Sequence, residues 1–547
     1  MESKNMHNYF KMYNADKCIF DAEVSCVSDP VQASLKEILL YEIRLLAYYT
    51  LKLKEFNFEY KKYAKHIIDG VCVVSLNMEI NRNEFSEYLL TLIDLRCEAQ
   101  KNYIDYSEKN NLDLQILKAY TDKCSDFNFI DALKQGELQN IQKNKILDKD
   151  KKSLYDILYI IIQNACRNIA QINMFNENEV EYETIEIIKL ISSTNFKSTQ
   201  IEKLKSRIEK ASMLNYRLYK TLKNLSSQKF GEPQLSEVKL DYKKGKAVLV
   251  TGDSLIDLYD FLNSVEGTDI NVYTHDALIL AHCYDEFKKF KNLVGHYQKS
   301  IDNLEMDFSS FPGVILITRN GNGNYLNIIR GLIYTTNEIG GKGVTVVKDR
   351  NFENLIKTAN EQPGFKEDKE IGKIQIGYNF DEIELKINQI IEKIENNEIN
   401  NLYMFGLLNN IGDLDEYFKH FIDKINDNSY IISLSFDDNK KNLYHIDSYY
   451  DYSLTYKILE KLEPVCIKKH VSINIIMTEF NLSLISRIFD IINNFHYENI
   501  YIPNRISDHV NPQIIETLRS IFGIILLSGN VEKDLRMITS IKKENSN

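Results

Sequence analysis

The chain has 547 residues and a formal net charge of −11, from 78 acidic and 67 basic side chains. A chain of this length is too long to fold around a single hydrophobic core, so we expect about three or four domains. The acidic balance argues against a surface for nucleic acid or an anionic membrane. The first ten residues are polar, and the longest apolar runs, such as residues 157–162, fall far short of the ~20 residues that span a bilayer. We therefore expect a cytoplasmic protein without a signal peptide or a membrane segment.

Residues from about 30 to 225 show the periodicity of helices. Asp29 is placed to cap a helix that begins with Pro30, and the following LKEILLYEIRLLAYY repeats apolar residues every three or four positions. The same pattern recurs around 85–104, 113–122, 154–173 and 180–224. Stacked helices in a bundle are the predicted structure. Gly231, Pro233 and a turn at 244–246 predict a linker, so that a domain boundary falls near 225–245.

Short apolar strands alternate with helices after this linker. The predicted strands are AVLVT from 247, INVY from 270, VILIT from 314 and GVTVV from 343, followed by IQIGY from 374, LYMFG from 402, YIISL from 430, SINIIM from 472, IYI from 500 and IILL from 524. Such alternation predicts two doubly wound, Rossmann-like parallel α/β domains. The predicted domains are a helical bundle at 1–228, a first α/β domain at 229–360 and a second at 361–547.

Polar loops follow several of these strands, at 252–254, 274–277, 319–323, 406–410 and 435–439. Doubly wound sheets bind ligands in the loops at the carboxyl ends of their strands. These five loops are therefore the predicted site.

Eight cysteines are scattered along the chain without a Cys-x-x-Cys pair or the spacing of a zinc site. They are expected to be free and mostly buried thiols. Cys283 directly follows His282, but neighbours on a helix point to different faces, so we expect a buried thiol rather than a nucleophile.

Three segments carry a specific resemblance: VTGDSLIDL at 250–258, EGTDINVYTH at 266–275 and FPGVILITRNG at 311–321. They resemble the hybrid-cluster protein (hydroxylamine reductase) family. The likeness covers almost the whole chain and is most specific at 247–321. It implies a helical domain followed by two α/β domains, and a family activity of reducing hydroxylamine or nitric oxide at a hybrid iron-sulfur-oxygen cluster, with a separate iron-sulfur cubane.

The resemblance also implies where the cluster ligands should lie, and those positions hold other residues here. The family's histidine falls on Asp253, its glutamate on Ala277 and its cysteine on Gly321. The remaining substituted positions are Leu408, Phe436, Tyr449 and Leu482, the last of which matches a glutamate that Glu479 can replace only through a gap in the alignment. For the cubane, whose ligands are normally four cysteines, only Cys18 and Cys26 remain.

A cluster-free pseudoenzyme with a binding or structural role is therefore the predicted function, with no cofactor. Two alternatives stay open: an active iron-sulfur oxidoreductase of the family's kind, and a partner subunit of an intact family member. Homo-oligomerisation is also open. Because Leu408 and Phe436 are large, we expect the former cluster cavity to have shrunk.

A residual polar site is predicted from Asp253, His275, Asp276 and Asp437, which together could hold one divalent ion. The alternatives are that Asp253 bonds to loop amides and that His275 is a structural histidine. The glycine-rich loop at 319–323 could accept a phosphate beside Arg319, or could be a loop shortened after losing its cysteine.

Overall fold

A computed structural model of the protein describes residues 30–76, 81–117, 119, 128–146, 148–194, 199–297, 304–321, 331–406, 416–434, 442–446, 451–495, 499–504, 506 and 510–545. Seven helices occupy the amino-terminal part of these residues: α1 Pro30–Glu55, α2 Lys61–Ser75, α3 Arg82–Lys109, α4 Phe129–Ile146, α5 Lys149–Phe175, α6 Glu181–Ser193 and α7 Ile201–Phe230. Among the described helices of the chain, none combines the length and the apolar content that crossing a membrane requires.

The helical region is built around α1 and α5, which are apolar along most of their length. Helix α5 begins at a cap in which the Asp148 side chain accepts a hydrogen bond from the backbone N–H of Lys151. It packs along α7, while α1 packs against α2, α3, α4 and α6. Burial of the apolar side chains between these packed helices, rather than helix propensity, stabilises the bundle.

The predicted helix around 113–122 is wrong for its described part, because residues 112–117 are not helical. Asn111 adopts a left-handed conformation with φ of 53° and ends the turn after α3. The backbone N–H of Gln115 then donates to the Tyr103 hydroxyl at 3.2 Å, and that of Leu117 to the Tyr49 hydroxyl at 3.1 Å. Side-chain hydroxyls thus take the backbone hydrogen bonds that a helix would have made. Helices α2 and α4 lie within the region predicted to be helical, but outside the segments in which the periodicity was specific.

A six-stranded parallel sheet follows, in the order β4-β3-β2-β5-β6-β7. Its strands are β2 Ala247–Thr251, β3 Asn271–His275, β4 Leu293–His296, β5 Val314–Ile317, β6 Ile333–Thr335 and β7 Val344–Val346. Its helices are α8 Leu255–Ser264, a 3₁₀ helix Asp276–Cys283, α9 Asp285–Lys288, α10 Leu304–Ser310, a 3₁₀ helix Lys348–Arg350 and α11 Glu353–Glu361. Strands β2, β3 and β5 are fully buried, as a parallel sheet covered on both faces requires.

A short antiparallel ladder joins β1 Ser236–Lys239 to β8 Lys373–Ile376. Bridges between Gly245 and Phe365 and between Tyr242 and Lys369 extend this pairing. The backbone pairing of the first α/β region therefore continues beyond residue 360 to residue 376, while the domain limits at 228 and 360 stay a prediction.

The second parallel sheet also has six strands, in the order β11-β10-β9-β12-β13-β14. They are β9 Asn401–Phe405, β10 Ser429–Ser433, β11 Leu443–His445, β12 Ser472–Ile476, β13 Ile500–Ile502 and β14 Ile525–Leu526. The helices around them are α12 Phe380–Glu395, α13 Glu416–Asp423, α14 Tyr452–Lys469, α15 Ser483–Phe495, α16 Pro512–Phe522 and α17 Val531–Asn545. The predicted fold class, a helical region followed by two parallel α/β units, is confirmed.

The three regions are packed against each other. Helix α15 lies on α7 and α5, and α16 also lies on α5, so that the helical region and one face of the second sheet share one apolar core. The first sheet has a separate apolar cluster on each face. In both sheets the strand order reverses beside the first strand, at β2/β5 and at β9/β12. Crevices that bind ligands form at such reversals.

Candidate functional site

A cavity of about 420 Å³ lies where the three regions meet. Its wall takes residues from α5 and α7, from the loops after β2, β3 and β5, and from the segment that follows β12. Segments that follow the strands at both reversals therefore border the same cavity. Of the predicted site residues, Asp253, His275, Asp276, Ala277 and Gly321 line this cavity.

Asp253 is brought to the cavity by the turn after β2. The preceding Gly252 has φ of +121°, and a Cβ added to it would lie 2.2 Å from Oγ1 of Thr318. Only glycine fits this close approach between the two turns. The Asp253 side chain, 40% exposed, borders the cavity and accepts a hydrogen bond from Nε2 of Gln171 at 3.0 Å.

Asp276 is positioned by an unusual backbone conformation directly after β3. Its φ is +57°, in the left-handed region that few residues other than glycine adopt. The 3₁₀ helix Asp276–Cys283 starts at this residue, so that Asp276 and Ala277 both border the cavity. Strained backbone of this kind is concentrated at functional sites.

Gly321 closes the turn after β5 and has no room for a side chain. A Cβ placed on it would lie 2.7 Å from Cγ2 of Ile317 and 2.8 Å from the backbone oxygen of Thr318. Real Cβ atoms essentially never approach other atoms so closely. A cysteine at this position therefore requires the backbone of the turn to move.

The two aspartates of the cavity share an unfavourable electrostatic environment. Burial raises the pKa of the Asp253 carboxyl above its ordinary value; Arg167, 3.7 Å away, opposes this, and Asp257 adds to it. Burial also raises the pKa of Asp276, and the Asp253 carboxyl adds to the shift although His275 opposes it. Both carboxylates are thus destabilised in their charged form.

His275 lines the same cavity and is only 1% exposed. Its Nδ1 lies 2.9 Å from Oγ1 of Thr251, within hydrogen-bond distance. Its Nε2 has no hydrogen-bond partner among the described residues and lies 3.7 Å from a carboxylate oxygen of Asp307. The Thr251 contact agrees with a structural histidine, but the second ring nitrogen is left without a hydrogen bond.

Cationic side chains form another part of the wall, and each is paired. Lys223 Nζ lies 3.3 Å from the Asp451 carboxylate. Burial alone lowers the pKa of the Lys223 ammonium, but Asp451 outweighs it and raises that pKa well above its ordinary value. The Arg487 guanidinium lies over the rings of Tyr219 and Tyr452, 4.4 and 4.3 Å from their centroids.

The counter-charge of Arg487 is Asp490, at 3.3 Å, which is fully buried. Asn215 donates to both of its carboxylate oxygens at 3.0 and 2.9 Å, and the Tyr456 hydroxyl donates at 2.8 Å. Burial raises the pKa of Asp490 to about 6 in spite of these contacts. This network connects α7, α14 and α15 directly behind the cavity.

On the side of the second sheet, Glu479 lines the cavity, whereas Leu482 does not. Leu482 is 5% exposed and belongs to the shared apolar core, and its neighbours Asn481 and Ser483 border the cavity instead. The other predicted positions, Leu408, Phe436, Asp437, Tyr449, Cys18 and Cys26, lie outside the described residues. The expected shrinking of the cavity, which rested on Leu408 and Phe436, therefore stays a prediction.

Arg319 of the predicted phosphate loop is engaged by carboxylates. Its Nη2 lies 2.6 Å from Asp69 and 2.7 Å from Glu338, which ties the turn after β5 to α2. The same turn is anchored where the backbone N–H of Arg319 donates to Asp257 at 2.8 Å. These contacts give Arg319 a structural role.

The expectation for Cys283 is confirmed, because the thiol is free and buried. Burial raises the pKa of the thiol to about 12 and lowers that of His282 to about 4. Nε2 of His282 lies 3.0 Å from Oγ1 of Thr274. A protonated thiol of this kind is inert as a nucleophile.

Sequence reasoning missed Arg167, Gln171, Lys223 and Arg487, which all line the cavity. These residues lie inside long helices, where a charged side chain is indistinguishable from one on a solvated face until the helices are packed. The one available signal was a polar stripe at helical spacing on the largely apolar α5, made of Asn164, Arg167, Asn168 and Gln171.

A known family matches most of this chain. The model of the Prismane/CO dehydrogenase family matches residues 17–446. The chain belongs to this family. A hydroxylamine reductase of Thermodesulfovibrio yellowstonii is 26% identical over 538 residues, covering 94% of this chain and 96% of that protein. Another, of Lawsonia intracellularis, is 34% identical over 220 residues, covering 40% of this chain and 41% of that protein.

Among solved structures, an alpha subunit of acetyl-CoA synthase/carbon monoxide dehydrogenase, described with NiZn[Fe4S4] and NiNi[Fe4S4] clusters, matches 94% of this chain and 83% of its own. Sequence identity is 10% and the TM-score is 0.44. The resemblance to the hydroxylamine reductase family drawn from the sequence is confirmed by the family match and the curated relatives.

The described residues of the cavity wall lack the thiolate donors that iron-sulfur clusters normally take. No cysteine is among the described residues that line it, and neither Ala277 nor Gly321 has a side-chain donor. In the part of the chain that the structure describes, no group of three or more His, Cys, Asp or Glu side chains is arranged to hold a metal ion. The divalent-ion hypothesis, which included Asp437, stays a prediction.

Proposed function

We propose that this chain is a cluster-free member of its family, without reductase activity, that uses the cavity between its three regions as a binding site. The observation that carries the proposal is Gly321. The family resemblance implies a cysteine ligand at this position, yet a Cβ there would lie 2.7 Å from Ile317 and 2.8 Å from the Thr318 carbonyl. A turn without space for a Cβ does not present a thiolate to iron.

Two further positions support the proposal. Asp253 replaces an implied histidine, and Ala277 replaces an implied glutamate with a side chain that has no donor atom. A protein must hold a metal cofactor with donor side chains before its surroundings can tune that cofactor. The cavity itself, about 420 Å³, is of the size at which proteins bind small molecules.

The second candidate is a reductase of the kind that its relatives' names describe. It is favoured by the match to the hydroxylamine reductase of Thermodesulfovibrio yellowstonii over 94% of this chain. Such an activity requires cluster ligands at positions other than Asp253, Ala277 and Gly321, which the family resemblance implies.

An assay of hydroxylamine reduction with a chemically reduced viologen dye distinguishes the two candidates. Protein purified without oxygen is compared with an intact family member prepared in parallel. We expect no dye oxidation above the rate without protein. A rate of dye oxidation within tenfold of the rate of the intact family member would overturn the proposal.

A further inference from the structure

We propose that the cavity binds a small organic cation, such as a primary ammonium compound, with Asp253 and Asp276 as its counter-charges. The inference rests on the proposed function, because it assigns a ligand class to the space that a cluster does not occupy.

The first argument is the charge of the wall. Arg167, Lys223 and Arg487 are the cationic side chains among the described residues of the wall. Five carboxylates either line the cavity or pair with these cations: Asp253, Asp276, Glu479, Asp451 and Asp490. Lys223 and Arg487 are each committed to a carboxylate behind the wall. Among the described residues of the wall, the charge that remains is negative, which favours a positively charged ligand.

The second argument is local and concerns the two aspartates. Asp253 is partly compensated by Arg167 at 3.7 Å, but its carboxyl also raises the pKa of Asp276. Two carboxyls that border one cavity favour the entry of a cation, since a bound positive charge stabilises both in their ionised form. An ammonium group has three N–H donors, so it can serve more than one carboxylate acceptor.

An independent observation comes from His275. This side chain is 1% exposed, borders the cavity, and has an Nε2 without a hydrogen-bond partner. A buried polar atom without a partner costs free energy, and bound ligands or waters commonly supply the missing hydrogen bond. His275 and Asp276 both border the cavity, while Nε2 of His275 lies 3.7 Å from the buried carboxylate of Asp307.

Size and wall chemistry favour an organic cation over a metal ion. The described residues contain no group of three ligating side chains arranged for a metal. The volume of about 420 Å³ far exceeds that of one ion. Phe175, Leu280 and Phe308 add apolar surface to the wall, and aromatic rings attract organic cations. Arg487, whose guanidinium lies 4.4 and 4.3 Å from the centroids of two tyrosine rings at the same cavity, is an internal example of this interaction.

The test is isothermal titration calorimetry of the full-length protein with two matched probes, 2-phenylethylammonium and 3-phenylpropanoate. They share the phenylethyl group and differ in the sign of the terminal charge. We expect the ammonium compound to bind at least tenfold more tightly than the carboxylate. Equal affinity, tighter binding of the carboxylate, or binding of neither probe would overturn the inference.

The site is tested with Asp253→Asn and Asp276→Asn, which preserve the shape of each side chain. We expect each to weaken binding of 2-phenylethylammonium at least tenfold. Asp285→Asn, which removes an exposed carboxylate outside the cavity, is the matched control and should leave the affinity unchanged. Unchanged affinity in both cavity variants refutes the assignment, and circular dichroism verifies that each variant is folded.

Failure of this inference is distinguishable from failure of the proposed function. If neither probe binds and the protein contains no iron or sulfide, only the ligand class is wrong. If stoichiometric iron and sulfide are found, the proposed function is itself wrong, whatever the probes do.

Discussion

At the scale of single residues, the backbone at Gly252 determines whether the turns after β2 and β5 can meet. We predict that Gly252→Ala lowers the free energy of unfolding by about 1–3 kcal/mol, from backbone strain at φ of +121° and from the 2.2 Å approach to Thr318. Gly267→Ala is the control, because Gly267 also has a positive φ, of +79°, but nothing lies within 4 Å of an added Cβ. Urea denaturation measures the unfolding free energy of both variants. An equal decrease in the two variants would contradict the prediction.

Asp490 gives a prediction about pH. The pKa of its carboxyl is about 6 in the folded protein and ~3.9 in an unfolded chain, so the folded state binds the proton more tightly. Its contribution to stability is therefore largest at low pH and falls as the pH rises from about 4 to about 6. We expect the unfolding free energy of the wild type, relative to Asp490→Asn, to fall by roughly 2–3 kcal/mol across this range.

Chemical denaturation at pH 4, 5, 6 and 7 measures this difference. The reference variant Asp285→Asn, at an exposed position, should show no comparable change between pH 4 and pH 6. If the unfolding free energy of the wild type, relative to that of Asp490→Asn, rises with pH in this range, the raised pKa is wrongly assigned to Asp490.

At the scale of elements, a buried ion pair joins α1 and α3. Nε of Arg96 lies 3.0 Å from Oε2 of Glu42, and the two side chains are 1% and 0% exposed. Removing one partner leaves an uncompensated buried charge, so we predict that Glu42→Leu costs about 3–5 kcal/mol of stability. The double variant Glu42→Leu/Arg96→Leu should cost less than Glu42→Leu alone.

The matched control is the exposed pair of Lys62 and Glu98, at 2.6 Å. Removing it should change stability by less than ~1 kcal/mol. A double variant at Glu42 and Arg96 that is less stable than both single variants would show that the two losses add, and that the cost of Glu42→Leu does not come from leaving Arg96 unpaired.

Elements differ in how far the sequence predicts them. Strands such as β2 and β9 are predictable because a parallel strand buried on both faces is a continuous apolar run. Strand β4, LVGH, was not predicted because its short apolar part is interrupted by a glycine. The apolar spacing at 113–117 suggested a helix, but hydroxyls of Tyr49 and Tyr103, distant in sequence, capture its backbone N–H groups.

At the scale of the whole molecule, the first α/β region depends on residues beyond the predicted limit at 360. Residues 365–376 pair with 236–245 through a ladder and two bridges. We predict that a fragment of residues 229–379 is more stable than one of residues 229–360. Hydrogen exchange and thermal unfolding of the two fragments measure the difference, and equal stability would show that 360 is a sufficient boundary.

The candidate site was predictable only in part. Residue pattern and family resemblance together identified Asp253, His275 and Asp276, because loops at the carboxyl ends of parallel strands converge by topology. They did not identify Lys223 and Arg487, whose place in the wall depends on how α7 and α15 pack. Such contacts between distant segments are determined by tertiary packing and leave no local pattern.

The central claim is that the fold is retained without its cluster. The most direct test measures the content of iron and acid-labile sulfide in protein purified without oxygen. An absorption spectrum from about 300 to 700 nm is recorded on the same sample. Broad visible absorption is the signature of cluster-bound cysteine thiolate and sulfide. The account predicts a folded, colourless protein with iron and sulfide far below one atom per chain. Stoichiometric iron and sulfide with broad visible absorption would contradict it.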